Sequence, residues 1–141
     1  MKIYHRKIKR SSRGELLIDD DKLFSQVIKK QRGEGCEIHF GTKCDRVGNM
    51  HLLGKASHPR LRYCPENIVR ACWFGAHFWT HHDSENDKAV NARKRILEIK
   101  GFQTWGELKD HLLKIEAMAE KHTNFYLNMK KAQLEQELKG A

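Results

Sequence analysis

Residues 51–82 read HLLGKASHPRLRYCPENIVRACWFGAHFWTHH, and this stretch decides how the chain is to be interpreted. It lies within a short apolar run at Met50 to Leu53, a basic loop from Gly54 to Pro65, a second apolar run at Asn67 to Ala71, and a helical pattern from Trp73 to His82. Short apolar runs bounded by Gly and Pro predict strands. The expected order is therefore strand, loop, strand, helix.

The stretch also carries more chemistry than any other. His77 and His81 stand four residues apart, so on a helix both imidazoles project from one face and can grip a divalent cation at two points. His51 supplies a base whose ordinary pKa lies near neutrality. Asn67 can hold the loop and orient that base, and Lys55, Arg60 and Arg62 within the loop can meet phosphates. Taken singly, His51 reads as a core histidine, Asn67 as a turn cap after Pro65, and His82 as a solvated neighbour of His81. Taken in order, they match what phosphodiester hydrolysis demands: an activated water, neutralised phosphate charge and a stabilised leaving oxygen.

Outward from this stretch, residues 1–18 form a basic arm with Arg6, Lys7, Lys9 and Arg10, suited to phosphates or to plain solvation. A helix is expected over Asp20 to Arg32: Asp19, Asp20 and Asp21 suit its start, Lys29, Lys30 and Arg32 its last turn, and Gly33 its end. The turn-rich segment Gly35 to Asn49 holds Cys36, His39 and Cys44. Lys88 to Lys100 and a helix opened by a Thr104–Glu107 capping box follow. The last helix, Asn124 to Leu138, has a thin apolar stripe of Phe125, Met129, Ala132, Leu134 and Leu138. Such a stripe packs on the domain or on a second copy of the chain, so a homodimer through the carboxy-terminal helices is permitted.

The 141 residues fit one domain. A formal net charge of +9 favours a polyanionic partner, nucleic acid ahead of an anionic membrane surface. No apolar run approaches the roughly 18 residues of a membrane span, and the amino terminus lacks the apolar core of a signal peptide. A cytoplasmic protein is expected. Four cysteines, Cys36, Cys44, Cys64 and Cys72, crowd the centre, and in that setting a metal site or buried thiols are favoured over disulfides.

In the contexts MHLLGKASHPRLRY, PENIVRAC and HFWTHH, the residues His51, Asn67, His77 and His81 resemble an HNH endonuclease of the His-Me finger superfamily. The helix and knuckle DKLFSQVIKKQRGEGCEI also match its usual lead-in. More loosely, the chain is similar to phage HNH proteins and to recombination nucleases of the NinG/Rap type, which act on branched DNA. The resemblance implies an α+β fold: a ββα-metal centre over residues 19–103 with flanking helices and a helical extension over 104–141. It implies a metal-dependent DNA endonuclease, phage-encoded and acting in a host cytoplasm. His51 would be the general base, Asn67 would position it or help bind metal, and His77 and His81 would hold Mg²⁺, Mn²⁺ or Zn²⁺.

Two departures qualify it. Met50 stands where relatives often carry a metal ligand. The structural zinc that many relatives hold with two CxxC pairs would here fall to Cys36 with His39 or Cys44, and to Cys72, since Gly75 cannot ligate. A Cys36, His39, Cys44 and Cys72 zinc site and a lost site with leftover thiols both stay open. So do two other classes: a DNA-binding module of the same fold without catalysis, and a structural zinc protein that binds a protein partner.

Overall fold

The computed structural model describes residues 12–73 and 87–140. Within them run α1 (Arg13–Arg32), β1 (Gly48–His51), β2 (Ile68–Ala71), α2 (Asp87–Lys100), α3 (Trp105–Met118) and α4 (Asn124–Lys139). Two short 3-10 turns, Pro59–Leu61 and Pro65–Asn67, shape the loop between the strands. Helices plus a two-stranded antiparallel sheet make the α+β class expected. The finer ββα-metal assignment turns on the segment after β2, of which only Cys72 and Trp73 are described before residue 87. His77, His81 and the arm residues Arg6, Lys7, Lys9 and Arg10 lie outside the described residues.

α1 begins earlier than Asp20, so residues 13–18 are helix rather than arm. The reason is local: the Ser12 hydroxyl accepts from the Glu15 N–H at 3.2 Å, capping the first turn. Ser12-x-x-Glu15 is a capping-box spacing, a signal that the Asp19–Asp21 cluster overshadowed. At the other end the Gly33 N–H bonds the Lys29 carbonyl at 2.8 Å with φ of 88°, which glycine adopts without strain.

β1 and β2 pair from Gly48 opposite Ala71 to His51 opposite Ile68. β1 therefore ends at His51, two residues short of the Leu53 expected. Past it the fully buried Asn67 side chain takes over the main chain of Leu53, accepting from its N–H at 2.8 Å and donating to its carbonyl at 2.9 Å. The strand turns inward there, burying Leu52 and Leu53.

A two-stranded sheet has little stability alone, and here helices cover both faces. Ile68 joins Leu16, Phe24, Val27, Ile28, Tyr63, Leu127 and Leu134 in a core between α1 and α4. Its neighbour Val69 points the opposite way, as strand alternation requires, and joins Leu52, Leu61, Ile96, Leu108 and Leu112 from the loop, α2 and α3. The helices expected as a carboxy-terminal extension thus carry part of both cores.

α1 and α4 lie side by side and run parallel. Arg13 donates to the His122 carbonyl at 2.6 Å near the start of α4, Lys131 pairs with Asp19 at 3.2 Å midway, and Lys30 reaches the Leu138 carbonyl at 3.1 Å at its end. Lys30 also donates to the Gly140 carbonyl, so its charge sits where the helix dipole favours a cation. Of the apolar stripe on α4, Leu134 is buried against α1 and Leu138 packs beside it, while Phe125 and Met129 remain exposed.

Two buried titratable groups lie near this interface. Asp20 is fully buried with neither oxygen hydrogen-bonded among the described residues. Burial, reinforced by Asp19 and Asp21 and opposed by Lys131 and Lys130, pushes its carboxyl up to about 6. His122 is buried between the rings of Tyr63 and Tyr126, at centroid distances of 5.5 and 4.2 Å. Burial first, then nearby cations, pulls it down to about 4.

The signs oppose. A carboxyl raised by folding contributes less to stability as pH rises from 3.8 to about 6. An imidazole lowered by folding contributes less as pH falls from 6.5 to about 4. Asp20→Asn should therefore be more stable than wild type at pH 7.5, with the gap shrinking by pH 4.5. Thermal unfolding of both proteins at each pH checks this, and a gap independent of pH would refute it.

Candidate metal centre and the His51 loop

The segment from Gly35 to Cys44 folds back on itself tightly. The Cys36 N–H donates to the Thr42 carbonyl at 2.8 Å and the Gly41 N–H to the Cys36 carbonyl at 2.8 Å. A Cβ on Gly35 would sit 2.1 Å from the Gly41 carbonyl oxygen, so the turn requires glycine there. This knuckle brings Cys36, His39 and Cys44 together, and Cys72, directly after β2, completes the group. His39 Nδ1 lies 3.3 Å from Cys36 Sγ, 3.3 Å from Cys44 Sγ and 3.4 Å from Cys72 Sγ. All four donor atoms fall within 4.8 Å of one another.

These four residues form a candidate metal site. Tetrahedral zinc, with bonds of about 2.3 Å to sulfur and 2.0–2.1 Å to nitrogen, sets sulfur and nitrogen ligands about 3.5 Å apart, so the spacing fits. The electrostatics fit as well. Loss of hydration, then the neighbouring Cys36 and Cys72, pushes the Cys44 thiol up to about 11. A bound cation would favour its ionised form. The Cys72 N–H donates to Cys36 Sγ at 3.2 Å, tying the two donors together. No disulfide joins the described cysteines. Of the two outcomes left open by the sequence, the clustered donor set is the one observed, consistent with structural zinc.

His51 closes β1 and is half-buried. Its Nε2 lies 2.9 Å from the Arg62 carbonyl oxygen. A carbonyl only accepts, so Nε2 carries the proton and the Nδ1 lone pair is left over. Burial, with Lys55 and the Arg62 charge adding, holds the imidazole below its ordinary value, although the Arg62 carbonyl and Asp21 pull the other way.

The loop that supplies this carbonyl is fastened at several points. Asn67 binds Leu53 as above and lies 3.5 Å from the Leu61 carbonyl. Its amide is thus occupied by main chain: it holds the loop. Arg62 forks onto Asp21 of α1, with Nε to Oδ1 at 2.7 Å. Burial raises the Asp21 carboxyl, but hydrogen bonds and charge from Arg62, with Lys55 at 3.8 Å, outweigh it and hold it below the usual range. His58 reaches Glu116 on α3 at 2.8 Å.

Of the loop cations read as phosphate contacts, Arg60 and Lys55 are exposed, while Arg62 is committed to Asp21. In the sequence Asp21 is only a charge near a helix start, and no local signal pairs it with Arg62. Met50 packs with the α2–α3 core, consistent with its alternation against His51. Cys64 donates to Glu66 at 3.0 Å, and burial pushes its thiol up to about 11. No described helix is long and apolar enough to cross a membrane.

No family model, curated protein or solved structure matches the chain.

The metal site makes a direct prediction. Purified protein should carry close to one zinc per chain by elemental analysis, and Cys72→Ser should lose most of it. Chelation should lower the unfolding midpoint by on the order of 10 °C, since the ion's binding energy is folding energy. Metal-free protein with an unchanged midpoint would refute a structural role.

Proposed function

We propose that this chain is a metal-dependent DNA endonuclease in which His51 is the general base. The observation that carries the reading is the hydrogen bond between His51 Nε2 and the Arg62 carbonyl, which puts the proton on one nitrogen and leaves the other basic. A base must be neutral to act, and the lowered pKa of His51 keeps it so at pH 7.

In this reading, Nδ1 takes a proton from water as the water oxygen bonds to phosphorus, and the bond from phosphorus to the leaving oxygen breaks. A proton from solvent neutralises that oxygen. His77 and His81 would hold the divalent cation, Mg²⁺, Mn²⁺ or Zn²⁺, which when bound neutralises phosphate charge and stabilises the leaving oxygen. Asn67 and the Arg62–Asp21 pair keep the loop in place, so His51 needs no rearrangement. Arg60 and Lys55, with Arg6, Lys7, Lys9 and Arg10 of the arm, would add salt-dependent affinity for the backbone. The candidate centre at Cys36, His39, Cys44 and Cys72 is read as structural zinc that holds the knuckle against β2. A cytoplasmic setting and a phage origin belong to this reading, as does an optional homodimer through the exposed Phe125 and Met129.

A second reading has its own support. Met50 is packed with the core, so β1 presents no metal ligand beside His51. A module that binds DNA without cutting it fits that fact. A structural zinc protein with a protein partner is the third outcome, resting on the cysteine centre alone.

Zinc-loaded protein incubated with supercoiled plasmid separates them. Nicked or linear product should appear only with added Mg²⁺, Mn²⁺ or further Zn²⁺, and His51→Ala should slow it about 100-fold or more. Salt-sensitive binding with no cleavage under any metal would establish the second reading, and absent DNA binding the third. The rate of an active enzyme should fall on acidification with a midpoint below 6.5, because the base is lost when His51 protonates.

A further inference from the structure

Phe40 sits at the tip of the knuckle, next to the ligand His39, and is 76% exposed. Its φ is 59°, a left-handed conformation that costs energy for a bulky residue and that glycine adopts freely. A large apolar ring is therefore held in water at a backbone position that disfavours it. Strain of this kind points to function when something fixes it in place, and here something does. The Arg95 guanidinium lies over the ring at 4.0 Å from its centroid, and Arg95 Nε donates to the Glu37 carbonyl at 3.1 Å. Arg95 thus supports the ring from α2 and leaves most of it uncovered.

The surroundings are polar and cationic. A cleft of about 550 Å³ opens beside the knuckle, lined in part by Arg32, Gly41, Lys43 and Arg95. Two acids also line it, but Glu34 is paired with Lys29 at 3.2 Å, and Glu37 accepts from the Arg70 N–H at 2.6 Å and faces Arg32 at 3.5 Å. Arg46, also at positive φ, is exposed nearby in sequence.

We infer that Phe40 and Arg95 form a stacking platform for an unpaired nucleobase, with the exposed Lys43 receiving an adjoining phosphate. An aromatic face backed by a guanidinium and flanked by cations is what single-stranded nucleic acid binds, and bases inside a duplex cannot reach it. The inference rests on the nucleic-acid reading above and narrows its substrate to nucleic acid with splayed or single-stranded bases.

The test uses zinc-loaded, full-length His51→Ala protein without added Mg²⁺, so that cleavage cannot intervene. Fluorescence anisotropy would compare three labelled probes of about twelve nucleotides: oligothymidylate, an abasic strand with the same phosphates, and a blunt duplex. Phe40→Gly removes the ring where glycine suits the backbone, so folding is not threatened; zinc content and circular dichroism verify it. Phe40→Gly should weaken oligothymidylate binding about tenfold and leave the abasic strand and duplex unchanged, while Phe40→Tyr should bind as before. Equal binding of all three probes, unaffected by Phe40→Gly, overturns the platform alone. A uniform loss across the three probes also overturns it, as a structural effect. Failure to bind any probe overturns the nucleic-acid reading beneath it.

Discussion

β2 has four residues, all buried, and among the described residues one strand beside it, so its second edge would leave polar main chain without partners inside the protein. Side chains and one loop complete that edge. Glu37 exchanges two hydrogen bonds with Arg70, its N–H to the carbonyl at 2.7 Å and its carboxylate from the N–H at 2.6 Å. The Ile68 carbonyl accepts from Arg32 at 2.8 Å and from Lys100 at 2.7 Å. The last turn of α1, the knuckle and the end of α2 all converge on this one strand. Burial, with the neighbouring Arg32 charge, pulls Lys100 down to about 8, the cost of placing two cations at one carbonyl.

With β2 held, both candidate sites follow from its two ends. Its last residue leads into Cys72, the fourth donor of the candidate metal centre. Its first follows Asn67, whose amide holds Leu53 and so positions the loop that carries the Arg62 carbonyl to His51. A metal at the knuckle and a tautomer at His51 therefore depend on the same short ladder. A metal held at the knuckle would brace Glu37, which sits between Cys36 and Ile38, and with it the edge of β2.

The loop between the strands is fastened by contacts unrelated to its sequence pattern. Asp21 of α1 takes Arg62, Glu116 of α3 takes His58, and Asn67 takes Leu53, so two helices and the connection's own last residue hold the twelve residues from Gly54 to Pro65 that by composition read as an exposed basic loop. Surface pairs of this sort are individually weak. The Asn67 clamp is different, since its amide is fully buried and each of its bonds replaces a main-chain partner that would otherwise be missing.

By itself the sequence determined the local elements: the helices ending at Gly33 and Gly101, the Thr104 cap with Glu107 (its N–H to the hydroxyl at 3.2 Å), and two short strands flanking a loop. These are legible because caps, glycines and periodicity act within a few residues. The four candidate zinc donors were also legible as a set, since thiols and an imidazole clustered in sequence have few other roles, yet their spacing left two outcomes open. Only the tertiary structure brought Cys72 to the knuckle, because β2 had to be paired and covered first. It alone set the Nε2 proton of His51, the Arg62–Asp21 fork and the parallel packing of α4 on α1. Those depend on groups more than ten, forty and a hundred residues apart in sequence, and no local propensity encodes such distances. They were decided by which surfaces could be buried together with their polar groups paired.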